Sequence, residues 1–181
     1  GVLTNQASHH IDLLEWMLGE PISVFAISKT SLVQIEAEDT ACVLIKFASG
    51  AFGIVEATTA TRPKDLEGSL SILGEKGSVV IEGFAVNELK TWDFVEKFES
   101  DKNVLENFSV NPPNVYGFGH KEYYEHIVSC ILNNSTQLVD GIEGRRSLEL
   151  INAMYQSIET GKEVLIKESQ HNSRLGNYNS Q

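Results

Sequence analysis

Apolar residues at Ala7, Ile11, Leu14 and Leu18 recur at helical spacing, and the chain is predicted to open with a helix over residues 1–19. Gly19, followed by Glu20-Pro21, supplies the stop. At about 100° per residue the four apolar positions form one stripe. Asn5, His9, Asp12 and Trp16 form a second stripe almost opposite. Leu13 and Met17 widen the apolar side, so the polar stripe lies at an edge and not on a purely solvated back. Past Pro21 the period changes. Residues 22–30 are rich in β-formers, and residues 39–47 and 52–59 follow as a hairpin turned by Ser49-Gly50. Pairing across that turn predicts Phe47 opposite Phe52 and Ile45 opposite Ile54 on one face. It sets Leu44 against Val55 and Cys42 against Ala57 on the other. Both faces are largely apolar, so one is expected under this chain's helices and the other under a partner subunit.

A second hairpin, residues 70–73 and 78–82, turns at Gly74–Gly77, and residues 88–95 read as a further strand. Residues 96–118 carry little period and include Asn111-Pro-Pro-Asn114, which predicts a long loop. A helix over 120–132 then carries Tyr124, Ile127, Val128 and Ile131 on one side. Asp140, with Glu143 three residues on, caps the last helix, whose Leu148, Ile151, Tyr155 and Ile158 share a face before Gly161 ends it. A short strand at 164–166 precedes a polar tail, residues 167–181. A helix, five or six strands and two helices make an α+β domain over residues 1–166, with a mainly antiparallel open β-sheet and helices on one face.

Composition narrows the partners. The 181 residues carry 25 acidic against 14 basic side chains, a formal charge of −11, which opposes a nucleic-acid or anionic-membrane surface. Cys42 and Cys130 sit in apolar contexts without metal-type spacing and read as buried free thiols of a reducing compartment. No signal peptide and no membrane-spanning run is seen, and a cytoplasmic protein is expected. His9, His10 and Asp12 make no ligand set, since helix neighbours point about 100° apart, and no metal site is expected. A glycine-rich dinucleotide fingerprint is missing too: Gly117-Phe-Gly119 runs into His120 and Glu122 where a third glycine would fall.

Asn5 and His9, four residues apart, are able to point at one object. From the helix alone the ordinary reading outweighs this one: a surface or partly packed histidine, with Thr4 or Asn5 as a cap. Arg62 and Lys64 suit a carboxylate or diphosphate, or simply a solvated loop. Tyr116 lies where the long loop enters a helix, a place fit for an anion, beside Asn114 and His120. Its ordinary reading is packing, with His120 near a cap.

The stretch Gly1-x-Leu3-x-Asn5-Gln6-Ala7-x-His9-x-Ile11-Asp12-Leu13-Leu14 resembles the helix that opens the second domain of the glucose-fructose oxidoreductase, inositol dehydrogenase and MocA (Gfo/Idh/MocA) enzymes. Their pattern is a Gly-rich start, Leu, then Asp-x-Gly-x-His-x-x-Asp. His9 and Asp12 match it, while Asn5 stands for the usual Asp and Ala7 for the usual Gly. The Gly74–Ser78 continuation and the helix ending at 159–164 carry the likeness to about Ile166. The wording of residues 4–10 is most similar to the branch that oxidises UDP-N-acetylglucosaminuronate at C3 of the sugar.

The resemblance implies a dihydrodipicolinate-reductase-like C-terminal domain that binds substrate and assembles into a homodimer or homotetramer through its sheet face. NAD or NADP would be bound mainly by a preceding domain, which also brings a catalytic Lys, so this segment alone is expected to be inactive. His9 would be the base, or part of a proton relay with that Lys, because imidazole titrates near neutral pH. Asn5 would orient the sugar, though an amide supplies no charge to stabilise a cationic ring. Arg62, Lys64 and Tyr116 would complete the substrate contacts. Two rivals remain: a same-family dehydrogenase of another sugar or polyol, and a non-catalytic ligand-binding or assembly module with a structural His9.

Overall fold

The computed structural model describes residues 1–168 apart from Asp65, Glu67, Phe84, Ala85, Asn111 and Val115. In chain order the elements are α1 (Ser8–Leu18), β1 (Pro21–Lys29), β2 (Thr40–Phe47), β3 (Phe52–Thr58), β4 (Leu70–Gly74), β5 (Gly77–Glu82) and β6 (Glu88–Phe94). A 3-10 turn (Glu99–Asn103), α2 (Val104–Asn107), α3 (Gly119–Asn133), α4 (Gly141–Thr160) and β7 (Val164–Leu165) follow, with a last 3-10 turn at Ile166–Glu168. The tail expected over 167–181 lies outside the described residues from 169 onward. Two compact units result, Gly1–Asp65 with Val139–Gln181, and Leu66–Leu138. The α+β class and the antiparallel pairing hold in both. The strands, however, divide between two sheets.

In the first unit the sheet order is β3-β2-β1-β7, every pair antiparallel. Its covered face holds Val24, Ala26, Val43, Ile45, Phe47 and Val55. Above it lie Ala7, Ile11 and Leu14 at the start and core of α1, and Leu150, Ile151, Ala153 and Met154 of α4. Each large side chain so buried contributes roughly 1.5–3 kcal/mol. The two stripes expected of the opening helix are present: Ala7, Ile11 and Leu14 are buried, and Asn5, His9, Asp12 and Trp16 are exposed. The helix itself begins only at Ser8, so Asn5 sits in the turn leading into it and not one helical turn before His9.

Asp140 caps α4, its Oδ1 accepting the backbone N–H of Ile142 at 2.8 Å and of Glu143 at 2.9 Å. Gly161, with φ of 66°, closes it, its N–H bonded to the Ser157 carbonyl at 2.8 Å. The buried stripe is not the expected one at its start. Leu148 is exposed, and Leu150, Ala153, Met154 and Ser157 join Ile151 and Tyr155 inside.

The β2–β3 register also differs by one residue from expectation. Lys46 pairs with Phe52, Ile45 with Gly53, Leu44 with Ile54 and Val43 with Val55. The cause is the turn. Phe47 N–H bonds Ala51 O and Gly50 N–H bonds Phe47 O, leaving a three-residue loop, Ala48-Ser49-Gly50. Gly50 takes φ of 87°, as such a loop requires. A one-residue slip moves every side chain to the other face. Phe52 and Ile54 therefore share the outward face with Cys42, Leu44 and Ile27 of β1, while Val55 joins Ala41, Val43, Ile45 and Phe47 toward the helices. Cys42 is thus exposed and not a buried thiol, whereas Cys130 is buried as expected.

The second unit pairs β4-β5-β6 in a three-stranded antiparallel sheet. Residues 96–118 are not a plain loop. Asp101 accepts the Phe98 N–H at 2.6 Å and the Trp92 indole N–H at 3.1 Å, which winds the 3-10 turn ahead of α2. On α3 the expected apolar side stays open: Tyr124, Val128 and Ile131 are exposed and only Cys130 is buried.

Candidate active site

Gly1–Ala7 form an arm that feeds α1. Asn5 N–H bonds Gly1 O at 3.1 Å, Ala7 N–H bonds Val2 O at 2.9 Å, and Ser8 Oγ donates to Asn5 O at 3.0 Å. No side-chain cap closes the N-terminus of α1. What fixes the helix start is the anchoring of this arm in the core.

That anchor is Glu38, a buried carboxylate just ahead of β2. Its backbone oxygen accepts Val2 N–H at 3.0 Å, and Oε1 accepts Leu3 N–H at 2.9 Å and the Tyr155 hydroxyl at 2.7 Å. The Tyr155 oxygen in turn accepts from Thr4 Oγ1 at 2.9 Å. A Cβ at Gly1 would collide with the Glu38 carboxylate, so this approach of backbone to carboxylate needs glycine. Burial pushes the Tyr155 phenol up to about 12, with Glu38 adding to the shift and the Thr4 hydroxyl opposing it. The phenol is therefore a standing hydrogen-bond donor.

Asp39 secures the adjoining segments. Its carboxylate accepts Leu32 N–H at 2.7 Å, Ser31 N–H at 2.8 and 2.9 Å, and Thr40 Oγ1 at 3.0 Å. Leu32 first, then Ser31, Thr40 and Val33, hold the carboxyl at about 2 against the opposing effect of burial. The Asp39 carbonyl also accepts Thr59 N–H at 2.8 Å. Consecutive carboxylates thus fix the arm, the β1–β2 loop and the exit of β3 at one end of the sheet.

His9 and Asn5 emerge at that end, exposed. Among the described residues no hydrogen bond occupies the His9 ring or the Asn5 amide, so both are free to meet a ligand. Arg62 and Lys64 leave β3 at the same end through Thr59, also exposed, with Arg62 Nη1 on its neighbour's carbonyl, Thr61 O, at 2.6 Å. Asn5, His9, Arg62 and Lys64 therefore belong to one unit, the two cations following the strand exit that Asp39 holds. His10 points elsewhere, half-buried, its Nε2 without a partner; burial, then the neighbouring His9, pushes its imidazole below the ordinary value.

Tyr116 belongs to the second unit, at the entry to α3. Its ring is exposed and edge-on to His120 at 6.0 Å. Its carbonyl accepts from His120 Nδ1 at 2.9 Å, and its N–H bonds Asn114 Oδ1 at 3.0 Å. These contacts shape the loop as it enters the helix. The same unit holds a groove of about 320 Å³ lined by Trp92, Phe94, Phe98 and Asp101 with Lys97, Lys102 and Glu99. Both lysines are paired, Lys97 with Asp93 at 3.1 Å and Lys102 with Glu99 at 2.6 Å, which leaves no surplus cation for an anionic ligand. No group of three His, Cys, Asp or Glu among the described residues is placed to hold a metal.

Residues 1–166 match the family model described as the oxidoreductase family, C-terminal alpha/beta domain, that is, the second domain of the Gfo/Idh/MocA enzymes. The chain belongs to that family. Among solved structures it is similar to the WlbA dehydrogenase from Bordetella pertussis in complex with NADH and UDP-GlcNAcA, at 40% identity and a TM-score of 0.84. That match covers 91% of this chain and 47% of the dehydrogenase. WlbA from Chromobacterium violaceum, in the same type of complex, is 42% identical with a TM-score of 0.83, over 94% of this chain and 47% of that one. Levoglucosan dehydrogenase in complex with NADH and levoglucosan shares the fold at 22% identity and a TM-score of 0.70, over 93% of this chain and 51% of its own. A comparison with curated proteins gave no match. The chain thus spans about half the length of the dehydrogenases it matches, as a C-terminal Gfo/Idh/MocA domain should.

Sequence reasoning missed Glu38, Tyr155 and Thr4 as a group. The one available signal was two acidic residues, Glu38-Asp39, set directly against an alternating apolar strand, where a charge needs a buried partner.

Proposed function

We propose that the complete protein is an NAD(P)-dependent dehydrogenase that oxidises a ring hydroxyl of a nucleotide sugar of the UDP-N-acetylglucosaminuronate type. This domain would supply the substrate side of the site. The observation that carries the reading is an exposed, unengaged His9 in a chain 40–42% identical to two dehydrogenases crystallised with NADH and UDP-GlcNAcA. Residues 1–166 act as one substrate-binding and oligomerising domain in this reading, and residues 167–181 as an appended tail.

The one G-x-G of this chain, Gly117-Phe-Gly119, serves a different purpose. Gly117 and Gly119 are spent on the entry to α3, and His120 is bonded back to Tyr116. The cofactor would be held mainly by the N-terminal half, and when bound it would accept the hydrogen leaving the carbinol carbon with its electron pair. His9 accepts the proton of that same hydroxyl on a ring nitrogen, so the carbon–oxygen single bond becomes a carbonyl. Asn5 offers an amide donor and acceptor to the sugar, which fixes the reacting hydroxyl beside the imidazole. Arg62 and Lys64 meet the carboxylate or diphosphate, with the guanidinium suited to a two-point contact. Tyr116 carries an exposed ring and hydroxyl that suit a sugar.

The outward sheet face supports assembly with a second copy. Leu44, Phe52 and Ile54 lie on it at 53, 75 and 68% exposure, an apolar density that water-facing sheets seldom carry. No helix among the described residues is long and apolar enough to cross a membrane, and the reading places the enzyme in the cytoplasm. Steady-state turnover of the complete enzyme with UDP-GlcNAcA and a panel of free hexoses and polyols tests the substrate. Activity with the nucleotide sugar alone is expected; activity with the polyols alone would overturn it.

A further inference from the structure

Ile11 and Leu14 seat α1 on the sheet, but its N-terminal end, where His9 stands, has no side-chain cap and no acidic residue in its first turn. That end is held through the arm, and the arm is held by side chains remote in sequence. Thr4, the residue next to Asn5, donates to the Tyr155 hydroxyl at 2.9 Å. Tyr155 donates to Glu38 Oε1 at 2.7 Å, and the same oxygen receives the Leu3 N–H at 2.9 Å. Leu3 is fully buried and Glu38 nearly so, hence the two bonds to Glu38 have no water to replace them. Tyr155 rises from the middle of α4, whose Ala153, Met154 and Ser157 are fully enclosed. The buried helix thus reaches across and holds the arm by side-chain hydrogen bonds.

We infer that Glu38 and Tyr155 are positioning residues: they hold the Thr4–Asn5 segment so that Asn5 and His9 face the substrate in register. The inference rests on the role proposed for His9. Its structural core, the grip of α4 on the arm, does not depend on the identity of the substrate. Geometry of this kind weighs on rate, since displacement of a catalytic group by about 1 Å costs on the order of a hundredfold.

The test compares three variants of the complete enzyme. Tyr155→Phe removes one hydroxyl from the core, and Thr4→Val removes the other from an exposed residue that folding tolerates. Ser157→Ala is the control: it deletes a buried hydroxyl of the same helix, which bonds Ala26 N–H at 2.9 Å and Lys162 O at 2.6 Å, away from the arm. Tyr155→Phe and Thr4→Val should each lower kcat about tenfold or more with KM for the nucleotide cofactor unchanged. The double variant should be little worse than either, because both cut one chain. Ser157→Ala should lower Tm and leave kcat alone. If kcat in both arm variants stays within about twofold of wild type, or falls no further than in Ser157→Ala, the inference fails. Amide exchange on the same proteins separates this from a wrong substrate. If wild type does not turn over the nucleotide sugar, selectively faster exchange at Val2–Ala7 in Tyr155→Phe still supports the grip, and unchanged exchange there overturns it.

Discussion

Oδ2 of Asp39 lies 2.7 Å from the backbone nitrogen of Leu32, so one carboxylate sets the shape of the loop between β1 and β2. Charge-assisted bonds of this sort are the stronger class, and Asp39 makes several.

Acid should release that loop. The Asp39 carboxyl titrates at about 2 in the fold, below its ordinary 3.8. Its contribution to stability is therefore full above 3.8, shrinks as pH falls below that value, and is gone once pH has passed through about 2. Asp39→Asn should melt several degrees below wild type at pH 6, with the gap closing toward pH 2. A gap that stays constant over this range would show that the charge on Asp39 is not what holds Ser31–Val33.

Glu15 presents the opposite case on α1. Burial raises its pKa above 4.5; Arg146 opposes the rise, and Asp12, Glu149 and Glu143 add to it. One of its oxygens, Oε2, is buried with no partner. The ionised form is thus disfavoured by folding, fully so above the raised value and not at all well below 4.5. Glu15→Gln should raise Tm at pH 7 by about 2 °C, with the advantage disappearing near pH 4. A lower Tm at pH 7 would mean that the attraction to Arg146 outweighs burial.

Ile54 lies on the outward face of the edge strand β3, paired with Leu44 of β2. A buried, unpaired charge there is costly in an assembly and harmless in a monomer. Ile54→Lys should leave the far-UV circular dichroism unchanged and shift the complete enzyme to a smaller species in light scattering. An unchanged particle size at micromolar concentration would remove this face from the assembly.

Much of this arrangement was legible in the sequence, for reasons that can be named. Asp140 and Gly161 act within a few residues of themselves, so the cap and stop of α4 were legible, whereas the Glu143 carboxylate pairs with Arg146 and does not close a capping box. The stripes of α1 follow from period alone. Register was harder: Ser49-Gly50 looks like a two-residue turn, but Gly50 at positive φ closes a three-residue loop, and one residue decides which face Phe52 and Ile54 join. Leu148 and the side of α3 show the complementary failure, since period marks an apolar face without saying whether this chain covers it. Glu38 gave only the hint of an acidic pair ahead of an apolar strand. Its partners lie 35 and 117 residues away, and no local pattern joins Leu3, Glu38 and Tyr155. His9 stood out only because spacing and a family pattern pointed to the same residue.

His9→Asn in the complete enzyme, assayed with saturating cofactor and UDP-GlcNAcA, puts the proton-accepting role to the test. An amide keeps some hydrogen bonding at that position and removes the base, so kcat should fall about 10²- to 10⁴-fold while the melting temperature, set by a core that His9 does not enter, stays put. Turnover within about threefold of wild type would contradict the assignment and leave His9 as an ordinary surface residue.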